Sequence, residues 1–535
     1  MTDSSLLSTY ARRFFSGTFV SRLTGMGRDL AMGFAFGDHP SVAAFLVAFR
    51  FSNLLRRLLG EGPFQSAFIP YFEGLRVQDP AKAIFFFRRL TILIALLLVV
   101  VSGLAETLIA VVLSQFSISE GSREILILTG WLFPAIIFIC LYGLNISLLQ
   151  CHDCFFLASV APVVSNVIWI LAALFLKNRE ISSAMPVLAQ CVAIGFCGQW
   201  LVTLPSTLKR VSGHWKEWLS FNIPSEVKGL AKSFAFGAIG VGAMQINAFV
   251  DALFARSADL KGPVYLWYSI RLEQLALAIF GIACVTTIVP RLSRAVKSGD
   301  KAQAYSLFSF SAQRILAIMV PCTLAIITLG GASVNLLYGH GEFSQMATSQ
   351  TTLCLWAYAL ALLPSALVIL LSSLFYAEND FRRPTFISLV SVGVNLFLNA
   401  FFVFVLHWGA ISIAIATSAS AWVNCLILYS YAKKGEWKLQ LPFARILKLC
   451  LAALFATLCT AGVEFLMAHQ TILPLFVEGF ATFTRSSSLQ LLHFSLLFLT
   501  FSGGLALFVL LFKNEDLLEL FYAFVWRKKP KIVND

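Results

Sequence analysis

The stretch Arg50-Phe-Ser-Asn53-Leu-Leu-Arg56-Arg57-Leu-Leu-Gly60-Glu61-Gly62-Pro63 sets the fold class of this chain. It follows the apolar run Ala43-Ala-Phe-Leu-Val-Ala-Phe49 and precedes Phe64-Gln-Ser-Ala-Phe-Ile-Pro70. Arginine inside such a segment is unfavourable at bilayer depth, by about 2.5–3.5 kcal/mol each even on insertion scales. Charges of this kind persist where they face a water-filled cavity and something anionic within it. The Gly-Glu-Gly-Pro break agrees, because irregular backbone at membrane depth is tolerated where it lines a cavity or is buried in protein. The plainer alternative pairs Arg57 with Glu61 at i,i+4 and lets Arg50 and Arg56 snorkel to the surface.

Working outward, the chain reads as a polytopic all-α membrane protein. Hydrophobic residues make up 58% of its 535 positions, and Phe alone supplies 50. Charged residues are 13%, against roughly 25% in an ordinary soluble domain. Segments of about 20 apolar residues, long enough to span, recur near 90–114, 124–150, 155–176, 183–206, 230–255 and 264–290. Others lie near 306–332, 350–377, 384–406, 410–432, 447–469 and 488–512. Two more, near 15–36 and 41–71, are interrupted by charge. The expectation is about fourteen transmembrane helices by the span-length rule, with no separate soluble domain.

A net charge of +13 in a soluble protein would suggest nucleic acid, but its distribution here rejects that. Basic residues crowd alternate connections: Arg12 and Arg13, Arg76 to Arg89, Lys209 to Lys232, Arg291 to Lys301, Arg382 and Arg383, Lys433 to Lys448, and the tail from Arg527. The intervening loops hold only Arg123, Lys177, Arg179, Arg256, Lys261 and Arg485. This is the positive-inside pattern, and it places both termini in the cytoplasm. No cleavable signal peptide is expected: residues 1–14 are polar and short, and the first apolar segment carries Arg22, Arg28 and Asp29.

Residues 43–90 and 264–310 resemble each other. Arg50 is followed by Gly60 and Pro70, Arg271 by Gly281 and Pro290, each pair then by a basic loop. Both copies run the same way across the membrane, so the repeat is parallel, about an axis along the membrane normal. The expected organisation is an N-terminal lobe over 1–222, a C-terminal lobe over 223–440, and two extra helices with a basic tail over 441–535. Two such six-helix lobes suggest alternating access about a midplane site. Arg271, in Leu-Trp-Tyr-Ser-Ile-Arg-Leu-Glu273, is nearly alone as a cation in its half. Pairing with Glu273 is a weak alternative at two-residue spacing, which puts the two on different helix faces.

Other motifs carry less. Gly237-Ala-Ile-Gly240-Val-Gly242 superficially recasts a dinucleotide loop, but no strand precedes it, and close helix packing through small residues explains it better. Asp251 either holds a proton or ion or reaches solvent. Asp380 followed by Pro384 reads as a helix start in a cytoplasmic turn. Of the eleven cysteines, only Cys151-His-Asp-Cys154 forms a cluster. A structural zinc site needs four ligands and no second pair is visible, so no metal is expected there. On the cytoplasmic side a structural disulfide is not expected either.

The segments Ser21-Arg22-Leu-Thr-Gly25-Met-Gly-Arg28-Asp29, Phe45-Leu-Val-Ala-Phe-Arg50, Asn53-Leu-Leu-Arg56-Arg57, Glu61-Gly62 and Ala67-Phe-Ile-Pro70 resemble the MurJ (MviN-type) lipid II flippase family. The likeness extends through Arg271-Leu, Pro290-Arg-Leu-Ser, Tyr338-Gly and Phe375-Tyr-Ala, with Asp380 and Pro384. It covers helices 1–12 in order; helices 13 and 14 match by position and apolarity. The resemblance implies the two-lobed, fourteen-helix fold of the multidrug/oligosaccharidyl-lipid/polysaccharide exporter superfamily. It implies as substrate the undecaprenyl-pyrophosphate-linked disaccharide-pentapeptide precursor of peptidoglycan, moved between leaflets of the bacterial cytoplasmic membrane. Three family arginines map onto Arg28, Arg56 and Arg271, with Arg22 a fourth and Asp29 and Glu61 as acidic companions; Arg50 and Asp251 join the candidate site on their own intramembrane charge. Two positions depart from the family pattern: Ala43 stands for a usual acidic residue, and Ser52 for a usual proline. A pyrophosphate suits bidentate guanidinium contacts, and helices 13–14 would form a groove for the lipid tail. No cofactor is implied; the energy source, a coupling ion or the membrane potential, is open. Membrane lipids and cell-wall synthesis proteins are candidate partners, nucleic acid is not, and a monomer is expected.

Competing readings need residues that are absent or differently placed. A membrane enzyme acting on polyprenyl phosphates would need a catalytic carboxylate or histidine set, usually with metal. The outer loop 466–490 offers His469, Glu478 and Arg485, with His493 just beyond. An exporter of cationic drugs would favour acidic over arginine-lined cavities. An exporter of another polyprenyl-linked oligosaccharide shares the arginine logic.

Overall fold

The computed structural model describes residues 3–59, 63–211, 225–434, 443–467 and 483–512. Glu61, His469 and Glu478 lie outside them. The described residues are almost entirely helical, and no strand occurs among them. Among the described residues, helix occurs in each of the fourteen apolar windows. Among the described residues, nine helices are long and apolar enough to cross a membrane, or ten when a bent pair is taken as one span. The protein is an integral membrane protein.

The chain divides into two compact units, Met1–Val264 and Tyr265–Asp535. This division by packing, at 264, is a different quantity from the division by repeat expected at 222. In the first unit, α1 (Asp3–Phe36), α2 (Pro40–Leu59), α3 (Pro63–Gln78) and α4 (Pro80–Gln115) are followed by α5 (Glu120–Leu132) and α6 (Ala135–Cys151). Then come α7 (Phe155–Val160), α8 (Pro162–Leu176), α9 (Ile181–Arg210) and α10 (Ser225–Ala258). Local chemistry sets these ends. Asp79 accepts from the amides of Ala81 and Lys82 with Pro80 at the first helical position, a side-chain cap joined to a preset φ. Between α5 and α6 the chain bends by 44° at Phe133-Pro134, where proline removes a helical hydrogen bond.

Small residues and aromatics hold the first unit together. A Cβ added at Gly17 of α1 would lie 2.0 Å from the Ser159 hydroxyl on α7. One at Gly195 of α9 would lie 3.3 Å from the Ser165 backbone on α8. Such close approach substitutes for the hydrophobic driving force that lipid does not supply. Between α3 and α4 the phenylalanines stack in series: Phe64 on Phe68, Phe68 on Phe72 and on Phe86. α2 packs between α5 and α10. The Gly237–Gly242 run lies within helical α10, in keeping with its reading as a packing motif.

The second unit contains most of α11 (Gly262–Ala276), then a π-helical turn (Leu277–Ile282), α12 (Ala283–Lys297), α13 (Lys301–Tyr338), α14 (Gln345–Ala359) and α15 (Leu362–Ala377). It continues with α16 (Arg382–Ala400), a second π turn (Phe401–Val405), α17 (Ile411–Lys434), α18 (Phe443–Met467) and α19 (Ser487–Phe512). The window read as one span over 264–290 is thus interrupted by a π turn carrying Gly281, immediately beyond the helix that bears Arg271. Asp380 accepts from the amides of Arg382 and Arg383, 3.2 Å each, and opens α16 as the sequence suggests. A buried polar ladder joins α16 to α17: Ser391 donates to the Ser420 carbonyl and Asn395 to Thr417 Oγ1. α18 and α19 meet where a Cβ on Gly504 would lie 3.1 Å from Ala456 Cα.

Candidate functional site

In the first unit the arginines are built into helix contacts. α1 turns Arg28 toward α8, where its guanidinium lies 4.7 Å from the Trp169 ring centroid. Its Nε and Nη2 both donate to Asp29 Oδ1, at 3.1 and 2.8 Å, and Nη1 donates to Asn166 Oδ1 at 3.4 Å. Asp29 is buried. Asn166 also donates to Thr24 Oγ1 and to the Ser21 carbonyl, so one amide ties three residues of α1 to α8. Trp169 packs edge-on against Phe49 and Phe45 of α2, at 4.9 and 5.5 Å. Its indole N–H is buried and meets no acceptor among the described residues. A guanidinium laid on an indole face and fixed by a carboxylate and an amide keeps its charge and is held in orientation.

α2 carries the next two. Arg50 Nη1 donates to the Ala248 carbonyl of α10 at 3.1 Å, and Arg56 Nε to Asn53 Oδ1 at 2.9 Å. Both are half-buried, whereas Arg57 and Arg22 are exposed. On α10, Asp251 is buried and accepts from Asn247 Nδ2 at 3.3 Å. It does not simply reach solvent, as one of the two sequence readings had it. Ala43 and Ser52 are buried.

In the second unit Arg271 repeats the device seen at Arg28: its guanidinium lies 4.3 Å from the Trp267 centroid, one helical turn back on α11. Glu273 is buried on the same helix. A further cation that sequence reading passed over, Arg314 of α13, lies 4.9 Å from the Phe310 ring.

The first unit thus brings Arg28, Asp29 and, through Trp169 and Phe49, the α2 segment of Arg50 into one packed group. Asn166, Trp169 and Trp267 are the residues missed by sequence reading. The available signal was slight: one amide inside the apolar run Pro162-Val-Val-Ser-Asn166-Val-Ile-Trp169. Elsewhere, Glu464 of α18 and His493 of α19 approach to 3.8 Å. No group of three or more His, Cys, Asp or Glu side chains able to hold a metal occurs among the described residues.

A family model described as "Lipid II flippase MurJ" matches residues 32–509. The chain belongs to the MurJ family. A probable lipid II flippase MurJ of Chlamydia pneumoniae is 32% identical over 526 residues, covering 96% of this chain and 94% of the relative. The corresponding Chlamydia trachomatis protein is 33% identical, with 97% of each chain covered. Among solved structures, a lipid II flippase MurJ in an inward closed conformation superposes with a TM-score of 0.72 at 23% identity, covering 92% of this chain and 98% of that one. An inward-facing multidrug resistance MATE transporter of the MOP superfamily gives 0.62 at 14% identity over 80% of this chain and 95% of its own. Both likenesses are of fold, and they agree with the helical architecture above.

Proposed function

We propose that this MurJ-family chain carries lipid II from the cytoplasmic to the outer leaflet of the bacterial cytoplasmic membrane. It acts as a transporter and not as an enzyme. Its relatives' assignment as lipid II flippases over nearly their full length supports the substrate. The observation that carries the mechanism is the repeated geometry of Arg28 over Trp169 and Arg271 over Trp267. Each guanidinium is held in a fixed plane by its ring, and a planar fork held in orientation suits the paired oxygens of a pyrophosphate. Arg56 joins these two as a third grip, with Arg22 and Arg50 shaping the field. Asp29 orients Arg28, and Glu61 and Asp251 supply the acidic balance.

The sugar–peptide head group crosses by alternating access, while α18 and α19 offer an apolar path to the undecaprenyl tail. Both termini lie in the cytoplasm, as the distribution of Lys and Arg directs. The deciding experiment is complementation of a flippase-depleted bacterium together with a leaflet-sidedness measurement of lipid II. Arg28→Ala, Arg56→Ala and Arg271→Ala should each abolish translocation with the protein still inserted, since removing an intramembrane charge does not hinder insertion. Full transport by Arg56→Ala and Arg271→Ala would sink the assignment.

A further inference from the structure

The Cys151-His-Asp-Cys154 turn acquires chemistry in the structure that its spacing alone does not give. α6 ends here with Cys154 N–H donating to the Leu149 carbonyl and Asp153 N–H to that of Gln150. Asp153 holds φ 58°, so the chain reverses through a left-handed residue, as in a Schellman closure. Both thiols are free and half-buried. Each meets a charged side chain from a different helix. Burial first, and then the neighbouring Glu73 carboxylate of α3, push the Cys151 thiol up to about 12. Arg210, at the end of α9, donates from Nη2 to Cys154 Sγ at 2.7 Å and from Nη1 to the Ser206 carbonyl at 2.8 Å. Arg76 of α3 grips the Cys151 carbonyl at 2.6 Å and pairs with Glu73 at 3.2 Å. His152 lies among them, its pKa lowered by burial first and then by Arg76 and Arg210, so it adds no third positive charge near neutral pH.

The two sulfurs are therefore unequal. A guanidinium at Cys154 stabilises negative charge on that sulfur as it attacks a disulfide or leaves one. Burial and the carboxylate beside Cys151 keep that thiol protonated, so it is the slower of the two to attack. We propose that Cys151 and Cys154 form a reversible dithiol–disulfide site on the cytoplasmic side of the first unit, with Cys154 attacking and Cys151 resolving, for low-molecular-weight disulfides such as oxidised glutathione. In the first step Cys154 Sγ bonds to one glutathione sulfur, the glutathione S–S bond breaks, and one glutathione thiolate leaves and takes up the Cys154 proton. In the second, Cys151 Sγ attacks Cys154 Sγ and gives up its proton as the new S–S bond forms. The mixed disulfide breaks, and the second glutathione thiolate leaves and takes that proton. Two thiols are oxidised and one disulfide is reduced to two thiols. Closing the bridge draws Cys151 off Glu73 and Cys154 off Arg210, so oxidation releases the turn from two side-chain ties, to α3 and to α9.

The test uses the full chain in nanodiscs, exposed to oxidised glutathione, quenched by alkylation and read by peptide-level mass spectrometry. The wild type should yield a 151–154 peptide lighter by two hydrogens, reversed by dithiothreitol. Cys151→Ser should instead accumulate a glutathione adduct on Cys154, and Cys154→Ser should be modified at Cys151 more slowly, by about tenfold. Arg210→Ala should slow adduct formation in the Cys151→Ser background, and Arg210→Lys should recover part of that rate. Equal rates at the two sulfurs, or no internal disulfide in the wild type under conditions that oxidise the same peptide in the unfolded chain, would overturn the proposal.

Discussion

At the scale of single residues, the arginines were legible because an intramembrane cation is expensive and so demands an explanation. Their supports were not. A Trp or Asn within an apolar helix is ordinary, and nothing in the local sequence distinguishes Trp169 from a packing residue until Arg28 is seen above it. The stacking predicts a graded mutational response. Arg28→Lys and Arg271→Lys should retain partial transport, because an ammonium keeps the charge but loses the planar fork. Trp169→Leu and Trp267→Leu should leave the arginines present but loosely held. A desolvated cation–π contact is worth about 2 kcal/mol, so lipid II binding by the purified protein should weaken by roughly tenfold or more. Unchanged binding in both tryptophan variants would remove the stacking from the account. The Cys151→Ser/Cys154→Ser double variant should keep full transport under reducing conditions, since neither thiol is placed in the substrate path; loss of transport at normal expression would return the pair to that path.

Helices were legible wherever apolar length alone decides them. Their interruptions were less so, because a π turn or a bend is a compromise among neighbours. Pro134 announces the 44° bend between α5 and α6, but nothing in Leu277-Ala-Ile-Phe-Gly-Ile282 announces a π turn. The repeat pairs Gly281 with Gly60. Gly281 lies in that turn, beside Ala366 of α15, while Gly60 lies outside the described residues. Close helix contacts give the prediction at this scale. Gly195→Leu and Gly504→Leu push side chains into Ser165 and Ala456, contacts of 3.3 and 3.1 Å already for a Cβ. Overpacking of this kind costs about 1–3 kcal/mol, so each should lower the thermal midpoint of the detergent-solubilised protein. Gly103→Leu on α4, where a Cβ would meet nothing within 4 Å, should leave it unchanged. Equal effects at all three sites would mean that these contacts do not hold the helices.

For the whole molecule, the sequence carried the membrane class through composition, and the family through its arginine segments. The division of the chain reads differently by repeat and by packing. The repeat puts the join at 222, whereas packing keeps α10 with the first unit, where Arg50 donates to the Ala248 carbonyl and Lys261 pairs with Asp38 at 2.9 Å. A repeat records ancestry along the chain, and compactness records which side chains meet; the two need not coincide. Orientation rests on charge alone, so it is the point to test directly. In the fourteen-span arrangement, the α15–α16 turn with its basic Arg382 and Arg383 faces the cytoplasm, and the start of α19 faces outward. In a background lacking reactive native cysteines, a membrane-impermeant thiol reagent added to intact cells should label a cysteine at Ser487 and spare one at Asp380. Both positions are accessible by geometry: Ser487 is exposed, and Asp380 sits in a turn between helices. Permeabilisation should then expose Asp380→Cys to the reagent, which separates protection by the membrane from protection by packing. Labelling of Asp380→Cys alone in intact cells would invert the protein in the bilayer. It would also turn the Arg76–Arg210 face outward and take the dithiol out of the glutathione pool.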